Sequence, residues 1–375
     1  MNKIKFSKPY IDNVEKKEII NAFNSTYISV GKYNMKFENY FKNIINRKYA
    51  LTVCNGTIAV ELAASALGLK KNDEIIIPSL LYISPVHIFK KLGLRLTICK
   101  VNPENFQMDV NSLKNCIKKK TRAILLIYNY GNTPNIREIL YIAKKKKIKI
   151  IEDFSEATFT KYNNTYVGKF GDISIGSLHA TKTITAGEGG IVVTDNKKLF
   201  KKMHKIREHG YLNKKEPYTY SMIGSNYKMS NINAAIAYGQ LKKYKIIIKK
   251  RLEILKIYKQ IFQKLDKFIL LPRFHNNEKN IMWAIPIFIK KNNITRKIIK
   301  YLKTKNIEVR PSFKMIYNYK HLNLKKLKEL NISKNIILLP CHPFIQKKEI
   351  IYIAKKIIWF LLNTKNRLSK QTVLN

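Results

Sequence analysis

The chain has 375 residues, 45% of them hydrophobic, with 17 Phe and 22 Tyr, which is ample material for a core and argues against wholesale disorder. Its 72 Lys+Arg against 24 Asp+Glu leave a formal charge of +48, yet ten arginines are all it has and the lysines run through nearly every predicted helix. Nucleic-acid readers lean on Arg and gather charge on one face, so the spread reads as compositional drift on a solvated surface, which also leaves room for a non-catalytic or regulatory protein; a basic nucleic-acid-binding protein, or a surface that attracts anionic membrane or phosphorylated ligands, is the other alternative.

The opening stretch MNKIKFSKPYIDN has no apolar run of the signal-peptide type and reads as an N-terminal arm over residues 1–15. From residue 50 to 194, short apolar runs at 74–78, 94–101, 123–128, 148–152, 173–177 and 191–194 alternate with helical patterns at 58–67, 110–118 and 136–145. That alternation predicts an α/β domain with a mostly parallel sheet. Helices are predicted over 197–208 and from 230 to about 265, the second long enough to join two lobes. The expected division is a large domain over 1–250 and a small α/β domain over 251–375, with a strand at 284–290, a helix at 296–305, a strand at 307–310 and a terminal helix from about 346. The longest late apolar run, 357–362, is far short of the ~20 residues of a membrane span. Cys54, Cys99, Cys116 and Cys341 form no C-x-x-C pair, which disfavours a metal site and a disulfide framework. A soluble, cytoplasmic chain without membrane or metal partners is expected.

In parallel sheets, ligands gather beyond the carboxyl ends of the strands. Asn55-Gly56-Thr57 opens the helical run IAVELAASALGL, where unpaired N–H groups make either an ordinary N-cap or a phosphate cradle. Asp153 closes the run IKIIED and either binds a cation or starts the next turn. The segment GDISIGSLHATKTITAGEGG leaves a strand through Ser177, His179 and Lys182 and enters a turn with Gly187, Gly189 and Gly190. Among so many surface lysines, Lys182 stands apart because it lies between a buried strand and a glycine turn.

The ordered set NGT, PSLLYIS, YG, IEDFSEA, GDISIGSLHATKTITAGEGG and GSNYKMSNINAAIA resembles the DegT/StrS family of nucleotide-sugar aminotransferases, with IEVRPSF and LPCHP similar to its closing segments. The resemblance implies a pyridoxal-phosphate-dependent aminotransferase of fold type I and a homodimer with shared active sites. It implies that Lys182 carries the cofactor, Asp153 faces its ring nitrogen, Tyr82 stacks on the ring and Glu156 stands near the ring hydroxyl. Asn55, Gly56, Thr57 and Ser177 would hold the phosphate, joined by Asn226 from a second subunit. Family dehydratases carry His in place of the lysine, so Lys182 points to amino transfer from L-glutamate to a nucleotide-linked keto sugar. Within the family, the N-terminal stretch is most like members acting on a GDP-linked 4-keto-6-deoxymannose. Leu80-Leu81, Tyr128-Asn129 and Ser225 depart from the family pattern on the substrate side. His179 reads as a helper base or a turn histidine, and Arg310 as a substrate contact or half of a salt bridge.

Overall fold

The computed structural model describes residues 3–212, 218–274 and 278–371. The first part of the chain contributes β1 (Tyr49–Val53), β2 (Glu74–Pro78), β3 (Arg95–Cys99), β4 (Thr121–Ile127), β5 (Lys149–Asp153), the short hairpin β6 (Lys161–Tyr162) and β7 (Thr165–Tyr166), β8 (Ile173–Ser177) and β9 (Gly190–Thr194). Seven of these form one sheet in the order β1-β9-β8-β5-β4-β2-β3. The pairs from β3 across to β8 are parallel, while β9 runs antiparallel to both of its neighbours. Both faces of this sheet are covered. Along β4, Ile124 and Leu126 pack into one apolar layer, whereas Ala123, Leu125 and Ile127 pack into the other, as the two-residue period of a strand requires.

The second part forms an antiparallel sheet in the order β10-β12-β14-β13, from Ile269–Leu270, Ile285–Ile289, Ile336–Leu339 and Arg310–Pro311. Between β10 and β12, β11 (Glu278–Lys279) pairs with the β6 hairpin of the large lobe. Helices Thr295–Thr304 and Lys347–Gln371 flank the small sheet. Ile247 packs in a large-lobe core and Ile254 in the small-lobe core, so the helix Tyr244–Phe262 passes from one to the other. Ile4 and Phe6, from the N-terminal arm, pack in the small-lobe core as well. No helix among the described residues is long and apolar enough to cross a membrane.

The single helix expected from 230 to about 265 is two, Asn231–Lys242 and Tyr244–Phe262. The break is at Lys243, whose φ of −120° and ψ of 16° turn the chain. Its buried ammonium sits 2.8 Å from Asp12 and 2.7 Å from Glu15, and those ion pairs hold the turn against the start of the chain. Sequence periodicity carries no sign of that remote pairing.

Candidate active site

Adjacent residues of a strand point to opposite faces, and at the end of β5 this separates two carboxylates. Glu152 turns into the protein. It accepts hydrogen bonds from the backbone N–H groups of Gly168 (2.6 Å), Phe170 (2.8 Å) and Gly171 (2.7 Å), and so shapes the loop entering β8. Asp153 turns into a cavity of about 620 Å³ beyond the strand ends, where it accepts a 2.9 Å hydrogen bond from the Ser155 N–H. Burial pushes the Asp153 carboxyl above its ordinary range, opposed by the Ser155 hydrogen bonds and by the charge of Lys182.

Lys182 reaches the same cavity from the loop after β8, which the backbone bonds Leu178 N to Gly189 O (2.8 Å) and Ala186 N to Leu178 O (2.8 Å) close. Its Nζ lies 3.7 Å from Glu156 Oε1 and 4.8 Å from the centroid of the Trp283 ring. Burial also raises the Glu156 carboxyl, against the pull of Lys182 and of the Tyr130 N–H, which donates to Glu156 Oε2 at 2.8 Å. Trp283 in turn donates its indole N–H to the Thr181 carbonyl at 2.9 Å, beside the lysine. The amine is therefore fixed by groups from both lobes.

The remaining wall is a helix start. Asn55 caps the helix Gly56–Ala66 by accepting from the Ile58 N–H at 2.9 Å, and Thr57 and Ser177 face the cavity beside it. A Cβ built on Gly56 would sit 2.8 Å from Ser177 Cβ, so no side chain fits between the helix start and the end of β8. An unobstructed helix N-terminus flanked by two hydroxyls fits a phosphate group. Asp153 fits a protonated ring nitrogen, since it is buried with one short backbone donor and has accepting capacity left.

Residues 9–358 match the DegT/DnrJ/EryC1/StrS aminotransferase family. The chain belongs to that family. It is 34% identical over 365 residues to a GDP-perosamine synthase of Escherichia coli O157:H7, covering 95% of this chain and 98% of that protein. Among solved structures, Helicobacter pylori PseC, an aminotransferase of pseudaminic acid biosynthesis, superposes with a TM-score of 0.89 at 26% identity, covering 95% of this chain and 98% of that one. A substituted GDP-4-keto-6-deoxymannose-3-dehydratase with bound GDP-perosamine gives 0.89 at 25% identity, covering 95% and 100%. The mostly parallel sheet is thus the fold-type-I architecture of this family.

In this family member Asn55, Gly56, Thr57, Tyr82, Asp153, Glu156, Ser177, His179, Lys182 and Arg310 all border one cavity. Tyr82 is 57% exposed, edge-on to Phe313 at 5.6 Å. His179 is exposed, with Nδ1 3.0 Å from Thr181 Oγ1 and Nε2 3.6 Å from Glu188. Arg310 has no salt bridge among the described residues; its guanidinium lies over the Phe6 ring, 4.5 Å from the centroid. Asn226 borders no part of this cavity; it is exposed and bridges Glu208 instead. Sequence reasoning missed Trp283 and Phe313. Trp283 enters from just before β12 and bears no local signal of the cavity, while Phe313 follows β13 and closes the segment IEVRPSF, whose likeness to the family was the one signal that could have found it.

Proposed function

We propose that this chain is a pyridoxal-phosphate-dependent aminotransferase that replaces the ketone of a nucleotide-linked keto-deoxysugar by an amine, with L-glutamate as donor. GDP-4-keto-6-deoxymannose, giving GDP-perosamine for a surface glycoconjugate, is the favoured substrate. One observation carries the reading: the Lys182 amine stands between Glu156 and Trp283 at the end of a sheet whose floor holds the buried Asp153.

The cofactor supplies the electron sink and the carrier for the amino group. Lys182 would hold it, and the same amine could carry the proton at the reacting carbon, two tasks that a primary amine can combine. Asp153 would face the ring nitrogen, where an ionised carboxylate would favour the protonated ring. Gly56, Thr57 and Ser177 receive the phosphate at the helix start, while Tyr82 covers the ring with a flat apolar face. Glu156 orders the Lys182 amine and the turn at Tyr130. Trp283 closes the small-lobe side against water.

A homodimer belongs to the same proposal, with Asn226 serving the phosphate site of a second copy. Its exposure outside its own cavity supports this, as do the exposed apolar residues Phe23, Tyr27, Ile28, Met35 and Ile223. Light scattering should report a dimer. An active monomer would remove Asn226 from the scheme. The substrate is tested by incubating the protein with L-glutamate and GDP-, UDP- and dTDP-linked keto sugars and weighing the products. An amino sugar from the GDP substrate alone is expected, and no amino sugar from any of them would overturn the reading.

A further inference from the structure

The N-terminal arm packs against two residues that line the cavity, Trp283 and Arg310. Ile4 pairs with Ile307 as a parallel bridge, with Ile4 N to Asn306 O and Glu308 N to Ile4 O both at 2.9 Å. Lys3 meets the Glu308 carboxylate at 2.5 Å, the Phe6 N–H donates to its other oxygen at 3.1 Å, and the Lys5 carbonyl lies 3.1 Å from His342 Nε2. These bonds fix Phe6, which is 4% exposed, at a junction. Its ring stands edge-on to Trp283 at 5.8 Å, and the Arg310 guanidinium lies over it at 4.5 Å.

Glu308 is the acid nearest to Arg310 in sequence, but Lys3 and the Phe6 N–H occupy it. Its carboxyl is held below the ordinary range first by Lys3 and only last by Arg310. A guanidinium that stacks on an aromatic ring keeps the N–H donors of its edge available for a bidentate anion. We propose that Phe6 is a positioning residue: the arm brings an aromatic platform under Arg310 and holds its guanidinium flat at the cavity rim, where its edge binds an anionic group of the substrate. That group is the carboxylate of the amino donor or the diphosphate of the nucleotide sugar. The proposal rests on the reading that this cavity is the active site.

The test uses the full chain with Phe6→Leu, Phe6→Trp, Arg310→Lys and the Phe6→Leu/Arg310→Lys double variant. Steady-state kinetics should show one substrate's KM raised roughly 3- to 30-fold in Phe6→Leu, with kcat within twofold. Phe6→Trp should restore wild-type KM, and Phe6→Leu should add nothing on the Arg310→Lys background. The second readout needs no turnover: phenylglyoxal modification of Arg310 in cofactor-free protein, read by peptide mass. L-Glutamate and inorganic diphosphate serve as separate protecting probes, and whichever protects identifies the anion. Protection in the wild type that is lost in Phe6→Leu supports the proposal even if no sugar is aminated. Protection by neither probe, equal protection in both proteins, additive effects in the double variant, or a fall in kcat at constant KM would each overturn it. Should Phe6→Leu fail to fold, Phe6→Met keeps an adaptable apolar side chain without a π face and takes the same measurements.

Discussion

The floor of the cavity comes from strand ends of one sheet: Asp153 closes β5, Ser177 closes β8, and Lys182 follows five residues later. The rim is gathered from far apart, with Trp283, Arg310 and Phe313 from the small lobe, and Phe6 of the arm packed behind Trp283 and Arg310. The floor groups are placed by register within the sheet, and the rim groups by packing between lobes. The groups proposed for the chemistry are therefore placed locally, while those proposed to meet the substrate depend on how two cores and an arm meet.

The largest effect should fall on the floor. Lys182→Ala removes anchor and proton carrier together, and turnover is expected to drop beyond the ~10⁴-fold upper range of a single positioned acid–base group. Single-turnover kinetics near the wild-type rate would erase the distinction between floor and rim. Asp153→Ala should follow, with a loss of ~10²–10⁴-fold in kcat; a change confined to KM would move Asp153 to the rim class.

Next comes the seam between the regions. Gly131 has a φ of 102°, and a Cβ there would stand 2.4 Å from the Ile281 carbonyl oxygen and 2.7 Å from Met282 Cα, just before Trp283. Gly131→Ala must strain the backbone and push that segment away, costing about 2–3 kcal/mol. Chemical denaturation measures this, and wild-type stability would mean that the two regions are not rigidly joined.

The smallest effect concerns charge on the floor. The raised Asp153 carboxyl contributes its full stability to the cofactor-free protein below the ordinary carboxylate range, and that contribution is lost as pH rises through the raised value. Asn cannot ionise, so cofactor-free Asp153→Asn should match the parent at acid pH and exceed it by about 1 kcal/mol at neutral pH and above. Thermal melts across pH check this. Parallel pH profiles for the two proteins would deny that Asp153 is buried as a liability.

The legibility of the sequence follows the same division. Lys182 could be picked from the lysines because a buried strand and a glycine turn flank it, and the βα alternation announced a parallel sheet by period alone. The helix Asn55 caps was readable from its first turn. Trp283 was not, since its place depends on the indole N–H reaching Thr181 and on the contact between lobes. The break at Lys243 was hidden for a similar reason, because the ion pairs that hold it come from Asp12 and Glu15 at the other end of the chain. Among the described residues Arg310 has no ion-pair partner, and Glu308, the acid nearest to it in sequence, is taken by Lys3 and the Phe6 amide. Phe6 gave no signal, as a phenylalanine in an N-terminal arm is otherwise unremarkable.

The most direct test of the account is to load purified protein with pyridoxal phosphate, reduce it with borohydride and map the modified peptides. Loaded protein should be yellow, bleach on reduction and then carry the reduced cofactor on Lys182, whereas Lys182→Ala should show neither the yellow colour nor the label. A colourless protein with no label, or a label distributed among other lysines, would contradict it.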